Sequence, residues 1–159
     1  MARVLYLKQS IVFVSHNYFY VGRLEMIDRK DIHRTYASLI NEAQEKIIST
    51  VDKAIEEMQR QKSSNEFERV LSNITKDTNR HFTSEEAYLK DFKYPEYHYH
   101  KEEHQDFSTK ALAYGKIIPN SDSQTANEIL DYLKKWLVRH FQETDNKSIE
   151  YFYNYSEVI

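Results

Sequence analysis

Residues 97–118 read YHYHKEEHQDFSTKALAYGKII and give the clearest indication of the architecture of this chain. Apolar side chains and histidines recur along them three or four positions apart, a spacing typical of the buried seam of a helical bundle. The residues on that seam are Tyr97, His100, His104, Phe107, Ala111, Tyr114 and Ile118. A helix formed here would therefore bury two histidines among its apolar side chains.

Three further segments have the same periodicity. They run from about Asp31 to Arg60, from Phe67 to Phe92 and from Ala126 to His140. Thr125, just before the last segment, and Glu128, in its first turn, have the spacing of a capping box. Only two glycines and two prolines occur, which argues against a turn-rich all-β fold. Because short connections favour antiparallel neighbours, the sequence predicts an all-α, up-down-up-down four-helix bundle.

The first 30 residues do not fit this pattern. They are rich in β-branched and aromatic residues, which favour extended structure: Ile11, Val12, Phe13, Val14, Tyr18, Phe19 and Tyr20. We therefore expect an N-terminal arm over residues 1–30, laid along the bundle or forming a dimer contact. The bundle would occupy residues 31–147, and residues 148–159 would form a short C-terminal helix or tail.

Composition narrows the classes of function. The 159 residues suit one domain, and a net charge of −3 with dispersed basic residues argues against nucleic acid as a partner. The apolar stretch Val4–Val21 contains Lys8, Gln9, His16 and Asn17, so it is too polar to span a membrane, and it has no small-residue cleavage signature. We expect a cytoplasmic protein. Since the chain has no cysteine, any metal would be bound through nitrogen and oxygen.

Seven histidine and carboxylate side chains fall on the faces that the four helices would bury. Burying such groups is costly unless something compensates them, and a pair of metal ions suits this set. Residues four apart on a helix differ by only about 40° in direction, so each such pair can aim two donor atoms at one point. The predicted metal ligands are His33, His81, Glu85, His100, His104, His140 and Asp145.

Asp145 requires a departure from regular helix. It lies five residues after His140, which on an α-helix would turn it about 140° away from the core. We therefore predict that the backbone between these two residues forms a widened, π-type turn or ends the helix early.

Other charged residues near this set have simpler interpretations. A single His–x3–His or His–x3–Glu pair is weak evidence for a metal, and only the contribution of four segments together indicates one. His16 and His98 are expected to be surface or hydrogen-bonding histidines. The acidic residues Glu86, Glu102, Glu103 and Glu143 are expected to be solvated.

Three strings resemble the hemerythrin family, in particular the single-domain bacterial hemerythrins: HFTSEE from His81, HKEEHQDF from His100 and WLVRHFQETD from Trp136. The resemblance extends over about Met26 to Lys147. It implies a non-haem di-iron centre that binds dioxygen reversibly for storage, delivery or sensing. By this resemblance His100, His104 and His140 hold one iron and His33 and His81 the other, while Glu85, Asp145 and an oxo or hydroxo group bridge them and one iron keeps an open position.

Alternatives remain open at this point. Imidazole and carboxylate suit iron, manganese and zinc alike. The same scaffold could serve a di-iron oxidoreductase acting on peroxide, nitric oxide or another small molecule, with Tyr36, Tyr88 or Tyr114 as electron relays; metal storage or iron repair is a third role. We expect no enzyme activity, dioxygen as the ligand, no nucleic-acid or membrane partner, and a homo-oligomer or an unidentified protein partner. Water would be excluded by apolar neighbours: Ile40, Phe82, Phe107 and Leu137.

Overall fold

The computed structural model describes the backbone of residues 4–7, 10–15, 18–21, 25–27, 29–60, 64–118 and 121–155, and the side chains within 31–56, 67–118 and 121–154. The chain divides into two compact units. One comprises Met1–Leu39 with Ile149–Ile159, and the other comprises Ile40–Ser148.

The N-terminal residues form four short antiparallel strands. These are β1 (Val4–Leu7), β2 (Ser10–Ser15), β3 (Tyr18–Val21) and β4 (Glu25–Ile27), and they pair in chain order as a meander. The pairs Leu7↔Ser10 and Ser15↔Tyr18 leave two residues between paired strands, the commonest length of a hairpin connection. The segment is thus extended, as predicted, but its strands pair with one another rather than forming a single arm. The side chains expected to contact the bundle or a second subunit lie outside the described residues.

Helices form the rest of the chain. They are α1 (Arg29–Arg60), α2 (Ser64–Asp91), α3 (Tyr97–Ile117), α4 (Ser123–His140) and α5 (Asn146–Tyr155), with the π-turn (Phe141–Asp145) between α4 and α5. The four long helices and the short C-terminal helix agree with the prediction. Among the described residues, no helix combines the length and the apolar character that a bilayer crossing requires.

Contacts in the second unit show that its helices run alternately up and down. Residues with higher numbers on one helix contact residues with lower numbers on the neighbouring helix, which is the pattern of an antiparallel pair. The contacts are Asn79 with Ser108 and Glu86 with His104 between α2 and α3, His104 with His140 and Tyr114 with Tyr132 between α3 and α4, and Gln44 with Asp145 and Asp52 with Lys134 between α1 and α4 or the π-turn. The predicted topology is therefore confirmed.

The beginning of α4 differs from the expected capping box. Asp122 is the N-cap residue, and its carboxylate accepts a hydrogen bond of 2.8 Å from the backbone N–H of Thr125. The side chain of Glu128 instead accepts a hydrogen bond from Gln124. An aspartate satisfies an orphan N–H of the first turn as well as a threonine does, so the helix begins at Ser123, two residues before Thr125.

Within the second unit the apolar core occupies one end of the bundle, and the predicted ligands that belong to this unit occupy the other. Fully buried core side chains include Val51, Ile74, Phe107, Ile118, Leu130, Leu133 and Leu137. Because the helices are antiparallel, the end of α2, the start of α3 and the end of α4 meet at the opposite end. Six of the seven predicted ligands lie on these segments and the π-turn.

Candidate metal centre

The helical spacing places two pairs of donors on buried faces. His81 and Glu85 lie one turn apart on α2, and His100 and His104 lie one turn apart on α3. None of the four is more than 5% exposed. His140, the last residue of α4, is 2% exposed and lies on the same face as Leu133 and the other buried residues of that helix.

The π-turn brings Asp145 to the same place. In a π-helix one turn takes more residues than in an α-helix, so a residue five positions after His140 returns to nearly the same direction. The side chain of Asp145 is fully buried. Ser148 donates a hydrogen bond of 2.7 Å to the backbone oxygen of Asp145, which satisfies a carbonyl at this irregular point. The predicted π-type turn is confirmed.

Donor atoms from five residues converge within 4.8 Å of one another: Glu85, His100, His104, His140 and Asp145. Asp145 Oδ1 lies 2.9 Å from His140 Nε2 and 3.2 Å from His100 Nε2. Glu85 Oε2 lies 3.4 Å from His100 Nε2 and 3.5 Å from His104 Nε2. The nitrogens and oxygens thus face a common centre rather than separate partners.

His81 borders this cluster. Its Nε2 atom is 3.7 Å from Glu85 Oε2 and 3.7 Å from Asp145 Oδ2. It is buried and has no hydrogen-bond partner among the described residues. A buried nitrogen without a partner is unfavourable in a protein interior, whereas a metal ion between the nitrogen and the two carboxylates would compensate it.

The imidazoles also face one another through like atoms. His104 Nε2 lies 2.9 Å from His140 Nε2 and 3.2 Å from His100 Nε2. Since a ring nitrogen either donates or accepts, the three atoms cannot all be satisfied by protons placed between them. Three lone pairs directed at one point are, however, the arrangement that binds a metal ion.

The electrostatics of the protein without metal show how strongly the two carboxylates attract positive charge. Burial alone would lower the pKa of His100, but the carboxylates of Asp145 and Glu85 outweigh it and raise that pKa to about 10. Burial would raise the pKa of Asp145, yet its histidine neighbours hold it well below its usual value. For His104 burial dominates and lowers the pKa. Without metal the site therefore holds ionised carboxylates beside a protonated His100 and a neutral His104. A metal ion would replace the proton of His100, and the residues present fit a metal cluster.

His33 is placed in the other compact unit. It is 6% exposed, and its ring stacks on Phe152 with the centroids 4.9 Å apart. Its role as the seventh ligand stays a prediction.

Three polar side chains contact the predicted ligands and were not identified from the sequence. Glu86 Oε1 lies 3.1 Å from His104 Nδ1, and Glu103 Oε2 lies 2.7 Å from His140 Nδ1. Gln44 of α1 donates a hydrogen bond to Asp145 Oδ2. The expectation that Glu86 and Glu103 are solvated is wrong, since their side chains are only 19% and 27% exposed. The remaining residues of that group, Glu102, Glu143 and His98, are exposed as expected, and His16 lies outside the described residues.

Aromatic rings enclose the ligands. The ring of Phe82 stacks on His104 with a centroid distance of 3.7 Å, and Trp136 stacks on His140 at 4.8 Å. Phe141 meets the ring of His81 edge-on at 5.4 Å. The predicted apolar neighbours Ile40, Phe82, Phe107 and Leu137 are all buried. The donor atoms therefore lie in a largely water-free surrounding, where charge interactions are strong.

The tyrosines differ in their relation to the site. The ring of Tyr94, which was not singled out from the sequence, lies 6.4 Å from that of His100. Tyr88 packs against Phe92 at 4.4 Å, and burial raises the pKa of its hydroxyl. Tyr114 packs against Tyr132 near the apolar end, and Tyr36 belongs to the other unit. Within the second unit Tyr94 therefore lies closer to the predicted ligands than Tyr114 does.

The protein-family model described as the hemerythrin HHE cation binding domain matches residues 29–151, which is most of the chain and contains all seven predicted ligands.

Proposed function

The chain belongs to the hemerythrin family, and we propose that it binds dioxygen reversibly at a pair of non-haem iron ions, for oxygen storage, delivery or sensing. Supporting this proposal is the convergence of four imidazoles and two carboxylates at one buried end of the bundle. We further propose the cytoplasm as the location of the protein.

We assign the ligands by the imidazoles that group together. His100, His104 and His140, whose Nε2 atoms face one another, would hold one iron. His81, with His33 as the second imidazole, would hold the other. The carboxylates of Glu85 and Asp145 each approach both His81 and His100, which supports the proposal that they would be shared between two ions. Two ferrous ions would supply the electrons that bind dioxygen, and the iron with fewer imidazoles would keep the open position.

The aromatic enclosure supports reversible binding rather than turnover. Phe82, Trp136 and Phe141 cover the imidazoles of three different predicted ligands, and none of these imidazoles is more than 5% exposed. Excluding water slows the proton-assisted loss of reduced oxygen species, a side reaction that would leave the metal oxidised. The side chains around the ligands thus protect the reduced state.

Tyr94 supports a second candidate, a di-iron oxidoreductase acting on peroxide, nitric oxide or another small molecule. Its ring lies 6.4 Å from that of His100 and is 7% exposed. A tyrosine so close to a ligand could pass an electron to or from the metals during turnover.

The test is to purify the protein anaerobically with ferrous ion, to measure its iron content and then to admit air. A spectrum that develops with dioxygen and disappears under vacuum, over repeated cycles, would support reversible binding. Rapid bleaching with consumption of added peroxide or nitric oxide would favour the oxidoreductase, and fewer than two irons per chain would contradict the assigned centre. In parallel, Tyr94→Phe should leave oxygen binding unchanged but slow any turnover that uses the tyrosine.

A further inference from the structure

Glu103 contacts a metal ligand and the turn that carries another one. Its Oε2 atom lies 2.7 Å from Nδ1 of His140 and accepts a hydrogen bond of 2.8 Å from the hydroxyl of Thr144. Glu103 belongs to α3, whereas His140 ends α4 and Thr144 lies in the π-turn. One carboxylate thus connects α3 to both parts of the segment that supplies His140 and Asp145.

The contact with His140 determines which ring nitrogen is available for a metal. A glutamate carboxylate accepts hydrogen bonds and donates none, and Oε2 of Glu103 accepts from the Thr144 hydroxyl while lying 2.7 Å from His140 Nδ1. Nδ1 of His140 must then carry the hydrogen, which leaves the lone pair on Nε2. Nε2 is the atom that faces His104 Nε2 and Asp145 Oδ1, each at 2.9 Å.

The contact with Thr144 acts on the backbone. Thr144 immediately precedes Asp145, and the π-turn is the reason why Asp145 points into the site at all. A hydrogen bond from the Thr144 hydroxyl to α3 holds this turn against the neighbouring helix. It therefore favours the wide turn over a regular helix that would direct Asp145 elsewhere.

Glu86 makes the comparable contact with His104 but in a different electrostatic setting. Its carboxylate also accepts from Lys101 Nζ at 2.8 Å, and that cation offsets its negative charge. The further contacts of Glu103 are with the hydroxyls of Thr144 and Tyr99, which are neutral. Glu86 thus shares its carboxylate with a cation, whereas Glu103 shares its own with hydroxyl groups.

We propose that Glu103 is a positioning residue of the metal centre, which fixes the tautomer and the ring orientation of His140 and, through Thr144, holds Asp145 in place. A carboxylate behind a ligating histidine has these effects in metal sites generally. The inference rests on the proposed metal centre but not on dioxygen as its ligand, so it can be tested with a redox-inert ion.

The test compares the wild type with Glu103→Gln, Thr144→Val and the control Glu102→Gln, using Zn²⁺ as the probe. Glu102 is the exposed neighbour and undergoes the same change of charge. Zn²⁺ affinity is measured by competition with a chelator, the Nδ1–H resonance of His140 by NMR on ¹⁵N-labelled protein, and the stability of the metal-free forms by urea unfolding.

Glu103→Gln should weaken Zn²⁺ binding by about 10–100-fold and shift the His140 resonance upfield, because an amide is a weaker acceptor than a carboxylate. Thr144→Val should weaken Zn²⁺ binding while leaving that resonance in place, and Glu102→Gln should match the wild type. Metal-free stability should change little in Glu103→Gln, which keeps the shape of the side chain.

Two results would overturn the inference alone: Zn²⁺ affinity of Glu103→Gln equal to that of Glu102→Gln, or a loss of affinity fully accounted for by a loss of metal-free stability. A wild-type protein that binds no Zn²⁺ and no ferrous ion would overturn this inference together with the proposed metal centre.

Discussion

Gln44 donates a hydrogen bond of 2.7 Å to Oδ2 of Asp145, although the two residues are 101 positions apart in the chain. This contact gives the two oxygens of Asp145 different surroundings. Oδ2 is held by α1, while Oδ1 faces the Nε2 atoms of His100 and His140. The first helix thus takes part in orienting a carboxylate supplied by the π-turn.

Replacing Gln44 by leucine should weaken metal binding roughly tenfold or more, because a hydrogen bond to a charged group contributes about 1.5–3 kcal/mol. Gln44→Glu should be worse, since it places a second negative charge beside Asp145. Competition with a chelator measures both effects. The matched control is Gln105→Leu, the same substitution at an exposed position of α3. Equal affinities in Gln44→Leu and Gln105→Leu would show that the contact does not orient Asp145.

Replacing His81 or His104 by leucine should remove at least one metal ion per chain. Metal that binds only the folded protein stabilises it, so these variants should also lose most of the rise in melting temperature that added metal gives the wild type. Metal analysis and thermal unfolding with and without metal measure both. His98→Leu changes an exposed histidine of α3 and should behave as the wild type. Full metal content in His81→Leu and His104→Leu would refute their assignment as ligands.

The stability of the metal-free protein should fall as the pH rises from 6.5 to about 10. His100 has a pKa raised from 6.5 to about 10, because the attraction of Asp145 and Glu85 for its proton exceeds the cost of burial. A raised folded-state pKa gives a contribution that is fully present below the unfolded value and is lost as the pH rises through the folded value. Urea unfolding at several pH values in this window, with a chelator present, measures the decline.

Metal should remove this dependence on pH, since a ligating His100 carries no proton on Nε2. His100→Asn should likewise flatten the curve, whereas His98→Asn should retain the decline of the wild type. If the free energy of unfolding of the metal-free wild type stayed constant between these pH values, His100 would not be holding a proton beside the buried carboxylates.

Phe82→Ala and Leu133→Ala should both destabilise the bundle, by about 3–5 and about 2–5 kcal/mol respectively, as expected when large buried side chains are truncated. Only the first should shorten the lifetime of the oxygenated protein, because Phe82 stacks on His104 while Leu133 lies in the apolar core. The rate of oxidation in air, followed optically below the unfolding temperature, separates the two. Equal oxidation rates in Phe82→Ala and Leu133→Ala would show that Phe82 does not protect the oxygenated protein.

The sequence predicts much of the site because most ligands are arranged by helical periodicity alone. His81 with Glu85, and His100 with His104, are one turn apart, so a helix places each pair on one face regardless of its neighbours. The π-turn was also predictable, since Asp145 follows His140 by one residue too many for a regular helix. The spacing of histidines and carboxylates along each helix is therefore enough to predict which of them share a face.

The supporting residues could not be predicted because their roles depend on how the helices are aligned against one another. Glu103 and Glu102 are adjacent acidic residues, and only the position of α4 decides that Glu103 meets His140. Gln44 likewise contacts a residue from the far end of the chain. The pairing of the N-terminal strands could have been predicted. Polar pairs at residues 8–9 and 16–17 separate apolar runs of sequence, which is the pattern of two-residue hairpin connections between paired strands.

The wide turn before α5 amounts to one surplus residue in an otherwise continuous helix. Were that surplus accommodated one turn later, Asp145 would face about 140° from His140, and Glu85 would be the one carboxylate left in the cluster of donor atoms. The negative charge available to the proposed metal ions would then fall by one unit without any mutation at a predicted ligand. The position of a single extra residue in the backbone thus decides whether a second carboxylate reaches the proposed metal centre.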